Sequence, residues 1–232
     1  MPLARRFCWS VMFLLTGLWG CTGEVPTPDK TEKLESPDDS PPKEDQSTAL
    51  KFTDFTAFLA KPAGDDPIWS VTESGVIQTT GTPRGYLYTN KVYENYTLEG
   101  EFRFVPPEET PDEEMVQKFN TGFLIHVPDE HKTWPRSLEV QGRYDEMGQV
   151  KRNARDIEFE SLLDDGEARK AARKPLGEWN TIKIVSKAGL VTAYLNGKKI
   201  SEGKTSDPTS GRIGLQAEDF PVEFRNLRIR EE

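Results

Sequence analysis

The run Tyr96-Thr97-Leu98-Glu99-Gly100-Glu101-Phe102-Arg103-Phe104 limits the fold of this chain more than any other stretch. Tyr96, Leu98, Phe102 and Phe104 alternate with Thr97, Glu99, Glu101 and Arg103. A period of two turns one face to a core and the other to water, which is the pattern of a strand in an antiparallel sheet. Further strands are predicted at 85–89, 122–127, 137–141, 181–186, 191–195, 212–216 and 222–230. Asn196-Gly197 follows one of them. Both central residues of a type I′ turn need positive φ, which Asn and Gly tolerate, so 191–195 is expected to fold back onto 198–201. Helical signal is confined to 111–118 and 164–173, both short. Many strands at near-regular spacing and so few helices predict an all-β fold. Two packed antiparallel sheets are expected, as a sandwich or jelly roll with one or two short helices.

The N-terminus predicts where the chain resides. Arg5 and Arg6 precede an apolar run, 7–18, too short to span a bilayer comfortably, and Leu18-Trp19-Gly20-Cys21 follows as a lipobox. Residues 1–20 are read as a bacterial lipoprotein signal peptide, with Cys21 carrying the lipid anchor. Thr22 replaces the Asp that would favour inner-membrane retention, so outer-membrane attachment in the cell envelope is expected. Cys8 and Cys21 are the two cysteines of the chain. Once one is removed and the other lipidated, no thiol is left for a disulfide, a thiolate metal site or a nucleophile. Residues 21–49 hold Pro26, Pro28, Pro37, Pro41 and Pro42 among charges, a composition that cannot form a core and reads as a tether. Residues 50–232 then form one domain. The net charge of −9 argues against nucleic acid as a partner and against a basic membrane-binding face, which leaves the lipid as the membrane contact.

Most of the chemistry lies in 134–143, Trp-Pro-Arg-Ser-Leu-Glu-Val-Gln-Gly-Arg. Alternation sends Leu138 and Val140 between the sheets and sets Glu139, Gln141 and Arg143 along the opposite face, ~7 Å apart in succession. A carboxylate, an amide and a guanidinium so spaced suit the hydroxyls and carbonyls of a sugar, and Trp134 can stack on a pyranose face. A charged outer strand face gives the same pattern.

This segment is also where the chain resembles a known family, the 3-keto-disaccharide hydrolase domain. The resemblance runs through nearly the whole domain. Its marks are Gly85-Tyr86-Leu87-Tyr88-Thr89, Tyr96 to Phe104, the 120–126 segment Asn-Thr-Gly-Phe-Leu-Ile-His, Trp134 to Gln141, Gly177-Glu178-Trp179-Asn180, Tyr194-Leu195-Asn196-Gly197, Ile213-Gly214-Leu215-Gln216 and Val222 to Ile229. It implies a concanavalin A-like jelly roll and a hydrolase acting on glycosidic bonds of sugars already oxidised at C3. The keto group acidifies the C2 proton, so that a base can form an enolate which expels the C1 substituent, after which water adds back.

Within the shared motifs Glu139 is the first candidate for the catalytic carboxylate. His126, closing its strand motif, is the second: an imidazole titrating near neutrality can act as base, acid or metal ligand. His131 lies in a predicted loop and is a weaker candidate. Gln141, Arg143, Trp134, Asn120 and Gln216 are expected to bind substrate. No closely spaced His and carboxylate pair marks a metal site, so a divalent cofactor would need ligands brought together in space. Ala217-Glu218-Asp219-Phe220 departs from relatives that carry a histidine or Gly-rich turn there. A noncatalytic, lectin-like carbohydrate-binding lipoprotein is therefore the alternative.

Overall fold

The computed structural model describes residues 46–232. The expected signal peptide, Cys21 and the expected tether up to residue 45 lie outside the described residues. The first strand, β1 (Thr48–Ala49), falls in the last two residues of the segment expected as a tether and pairs with the last strand of the chain.

Period-two sequence becomes two antiparallel sheets. The larger contains β1 with β3 (Trp69–Val71), β4 (Ile77–Thr79), β6 (Tyr96–Phe104), β10 (Phe159–Asp164), β11 (Asn180–Lys187), β12 (Leu190–Leu195), β13 (Lys198–Thr205) and β15 (Val222–Glu231). Its order is β10-β13-β12-β11-β6-β15-β4-β3, with β1 added against β15. The smaller contains β2 (Phe55–Leu59), β5 (Gly85–Thr89), β7 (Gly122–Val127), β8 (Leu138–Gln141), β9 (Val150–Arg152) and β14 (Arg212–Ala217), in the order β2-β5-β14-β7-β8-β9. Two short helices, α1 (Glu113–Val116) and α2 (Gly166–Ala172), lie within the segments expected to be helical. Each is capped by an aspartate, Asp112 and Asp165, that accepts a backbone N–H of the first turn.

Between the sheets the apolar residues of both inner faces form one core. Leu98, Phe102, Phe104, Ile182, Ile184 and Phe224 of the larger sheet meet Phe123, Ile125, Leu138, Val140, Ile213 and Leu215 of the smaller. Phe102 packs edge-on against Phe123 at 5.6 Å. A second, smaller cluster of Tyr86, Leu124 and Val127, with Phe58 and Tyr88 against it, lies on the other face of the six-stranded sheet. Asn196 and Gly197 take φ of 48° and 83°, as the hairpin between β12 and β13 requires.

His126 breaks the alternation of β7. Its φ of 62° and the register shift between β14 and β7 form a bulge that sends both His126 and its neighbour Val127 to the faces opposite those a regular strand would give them.

Candidate functional site

Side chains on the outer face of the six-stranded sheet form two cross-strand rows. In one, Lys151 stands opposite Glu139, Glu139 opposite Leu124, Leu124 opposite Gly214, and Gly214 opposite Tyr88. In the other, Gln141 stands opposite Gly122, while Gln216 pairs with Tyr86 and Tyr86 with Phe58. Leu138 and Val140 enter the core as their spacing predicts, which fixes Glu139 and Gln141 on this outer face.

Gly122 is the point where the rows converge. A Cβ placed there would lie 2.5 Å from Gln216 Oε1 and 2.6 Å from Glu139 Oε1, so the absent side chain is the space in which these two groups meet. Glu139 is only 3% exposed and its carboxyl has no hydrogen-bond partner among the described residues. Burial pushes its pKa up to about 7, against the pull of the Lys151 ammonium; the carboxylates of Glu218 and Glu146 push the same way as burial. Both Nε2 and Oε1 of Gln216 are buried without a partner, as is Oδ1 of Asn120. Unpaired buried polar atoms are costly in a folded protein, and a ligand or a water is one way to complete their bonding.

A cleft of about 430 Å³ opens at this end of the sheet. Residues that continue the strands line it: Asn120 ahead of β7, Arg143 past β8, Glu218 past β14 and Arg84 ahead of β5. Burial also raises the Glu218 pKa, with the Arg84 charge opposing it. Asp219 binds Arg84 through two hydrogen bonds, one of 2.9 Å from Nε and a shorter one from a terminal guanidinium nitrogen. The loop 128–137 is stapled across the sheet beyond. His131 stacks on Tyr88 at 4.0 Å and its Nδ1 lies 3.1 Å from the Tyr86 hydroxyl, while Arg212 holds Asp129 at 3.0 Å.

Of the residues singled out by sequence, Glu139 and Gln216 are brought together, and Asn120 and Arg143 line the adjacent cleft. Arg143 does so from the turn after β8 rather than from the strand, and it pairs with Asp145 at 2.9 Å. Gln141 shares the face, but its Oε1 accepts the Arg143 backbone N–H and so supports that turn. Trp134 stands at the rim, 40% exposed, with the Arg84 guanidinium 5.8 Å from its ring.

His126 is not in this group, contrary to its expected place beside Glu139. The bulge turns its ring into the core, where it is fully buried against Tyr96; Nδ1 lies 2.9 Å from Pro208 O and Nε2 3.0 Å from Ser186 Oγ. Burial lowers its pKa to about 4, so the imidazole is neutral and structural. Sequence reading missed Lys151, whose strand is three residues long, and missed the role of Gly122, which only three-dimensional proximity reveals. Among the described residues no three His, Cys, Asp or Glu side chains gather as a metal site, so no step here is assigned to a divalent ion.

Comparison with known proteins places the chain in a family. The sequence profile of the 3-keto-alpha-glucoside-1,2-lyase-like domain matches residues 42–230. The chain belongs to that family. This 3-keto-alpha-glucoside-1,2-lyase-like domain is similar in structure to two candidate glycosyl hydrolases from Parabacteroides distasonis. Both are 23% identical to it; one covers 71% of this chain and 90% of its own at a TM-score of 0.51, the other 78% and 90% at 0.53. It is also similar to the carbohydrate binding module CBM66 from Bacillus subtilis, at 11% identity, 77% and 96% coverage and a TM-score of 0.51. These likenesses bear on the fold, a concanavalin A-like jelly roll of two antiparallel sheets. No curated protein matches the chain.

Proposed function

We propose that this lyase-like domain cleaves 3-keto-α-glucosides, with Glu139 as the base that removes the C2 proton. The observation that carries this reading is the Glu139 carboxyl itself, buried and unpartnered, beside the equally unpartnered Gln216 amide over Gly122. A carboxylate with a pKa near 7 is a stronger base than an ordinary one and is still ionised in a large fraction at neutral pH.

The chemistry balances with these groups. Glu139 takes the C2 proton, and the C–H electron pair moves to the C3 oxygen as an enolate, which Gln216 Nε2 and the Lys151 ammonium stabilise as donors. Collapse of the enolate restores the ketone, forms the C1–C2 double bond and breaks the C1–O bond. Glu218, kept protonated more than an exposed glutamate by its burial, supplies the proton to the departing oxygen. Addition of water across the double bond, hydroxyl to C1 and proton to C2, completes a net hydrolysis. Anchoring through Cys21 would hold the domain at the envelope, where it meets glycosides outside the cytoplasm.

The test is product release by the full-length protein from 3-keto-trehalose and from trehalose. Cleavage of the keto sugar alone is expected, with kcat/KM rising as pH passes through about 7 and reduced at least ~100-fold in Glu139→Gln. Saturable binding with no turnover in the wild type would reverse the conclusion and make the domain a carbohydrate-binding protein.

A further inference from the structure

The Glu139 carboxyl is unpartnered although a cation stands within reach. Lys151 of β9 lies directly opposite it in the sheet. Residues so paired have Cβ atoms ~5 Å apart, a gap that a lysine stem spans easily. Yet the Lys151 ammonium forms its ion pair elsewhere, with Glu146 Oε2 at 3.6 Å. The other oxygen of the same carboxylate, Oε1, lies 3.8 Å from Arg143 Nη1. Glu146 thus joins the cation opposite Glu139 to a cation that lines the cleft.

Glu146 owes its place to the turn between β8 and β9. The Gly148 N–H donates to Gln141 O at 2.7 Å and the Gln141 N–H to Gln149 O at 2.8 Å, which closes the turn at its base. Within it the Glu146 N–H donates to Arg143 O at 3.0 Å and the Gln149 N–H to Glu146 O at 2.9 Å. Met147, next in the chain, is buried in the core. Helix α2 grips the same turn. Its buried Arg169 donates from Nε to Met147 O at 3.1 Å. Arg173, just past the helix, donates to Tyr144 O, with its guanidinium 3.9 Å from the Tyr144 ring. The backbone at 146 is therefore fixed on both sides, and the flexible lysine stem decides which carboxylate the ammonium meets.

Partly exposed ion pairs contribute little to stability. Their effect on a neighbouring acid is larger, because an opposite charge within ~4–6 Å of a carboxylate lowers its pKa by ~1–3 pH units. The resting place of Lys151 therefore sets the strength of Glu139 as a base. Other neighbours of Glu139 offer the lysine no equal rival. Gly122 and Leu124 of β7 and Gln216 of β14 carry no charge, and Glu218, past β14, already feels the Arg84 charge.

We propose that Glu146 is a positioning residue that draws Lys151 off Glu139, leaving the base open to the C2 proton and the ammonium to one side, where the C3 oxygen gains charge. The inference rests on the catalytic reading above and adds to it a residue that touches no substrate. Without Glu146, Lys151 closes on Glu139, and the site loses its base and its donor to each other.

The experiment follows the Glu139 carboxyl directly, by carbon NMR titration of protein labelled at the glutamate side-chain carboxyls, with Glu139→Gln assigning the signal. The wild-type signal should titrate near pH 7. Glu146→Gln should lower that midpoint by about one pH unit. Lys151→Met should raise it, and in the Lys151→Met background Glu146→Gln should move it by less than about half as much as it does alone. No change in Glu146→Gln overturns the proposal, since the lysine then turns to solvent. An equal shift with and without Lys151 also overturns it, since the Glu146 carboxylate then acts through its own field. Both side chains are partly exposed and joined through ion pairs, so the variants keep the fold. Turnover is read separately: kcat/KM of Glu146→Gln for 3-keto-trehalose should reach its plateau about one pH unit earlier and several-fold lower. The NMR shift without any wild-type turnover refutes the catalytic reading and leaves the positioning role standing; wild-type turnover without the shift does the reverse.

Discussion

Glu139 and Gln216 can approach one another because position 122 contributes no side chain. Gly122→Ala keeps an ordinary strand conformation, yet its methyl must push aside the ends of two flexible side chains. Stability measured by denaturant unfolding should change by less than ~1 kcal/mol, while kcat/KM for the keto sugar falls about 100-fold, the penalty of a small misplacement of reacting groups. A large loss of stability with activity retained per folded molecule would contradict this view of the glycine. At this scale the sequence was informative where alternation held. Leu138-Glu139-Val140-Gln141 assigned its side chains to faces correctly, and Gln216, expected only to bind substrate, shares that outer face between two core residues. It was uninformative where contact depended on distant segments. Nothing in Val150-Lys151-Arg152 announces a strand, so the cation opposite Glu139 stayed hidden. His126 stood in phase with the site residues on paper and left that phase through one bulge.

Among the elements, the hairpin between β12 and β13 shows how much one turn residue can hold. Asn196 takes a left-handed φ, its Oδ1 accepts the Thr181 backbone N–H at 2.8 Å, and its Nδ2 donates to Ala172 O and Asn180 Oδ1, each at 2.8 Å. The turn therefore ties β11 and the end of α2 to the sheet. Asn196→Ala should cost about 2–4 kcal/mol in urea unfolding, from lost hydrogen bonds and a strained backbone. Asn196→Gly should recover about 1 kcal/mol of that, because only the backbone part is repaired. Identical losses in the two variants would exclude the conformational contribution. This hairpin was legible because an Asn-Gly pair between alternating runs is a local signal. The strands β1, β2, β3, β4, β9 and β10 were not assigned from sequence; β2, β3, β9 and β10 close the sheet edges, β4 pairs with one of them, and most are short, so periodicity had little length over which to register.

For the whole molecule, two buried titratable groups set opposing demands on pH. His126 has a folded pKa of about 4 against 6.5 unfolded. As pH falls through 6.5 the unfolded chain binds a proton that the fold refuses, and stability drops by about 1.4 kcal/mol per pH unit until about pH 4. Glu139 has a folded pKa of about 7 against 4.5 unfolded, so its burial costs stability as pH rises from 4.5 to about 7. Between roughly 4.5 and 6.5 the two slopes cancel. Urea titrations across that range should show wild type with little net contribution from the pair, Glu139→Gln gaining stability as pH rises, and His126→Gln losing it. Parallel profiles for wild type and Glu139→Gln would refute the compensation.

The pairing of β1 with β15 has a mechanical consequence. Thr48 and Ala49 lie against Ile229 and Arg228, and the Leu50 N–H donates to Leu227 O at 2.9 Å, before the chain crosses to β2 in the other sheet. Tension entering from the N-terminal side is carried first by this clasp on the larger sheet. It works as a strain relief, like the grip on a cable where it enters a housing, and shields the edge strand that carries Phe58 from load.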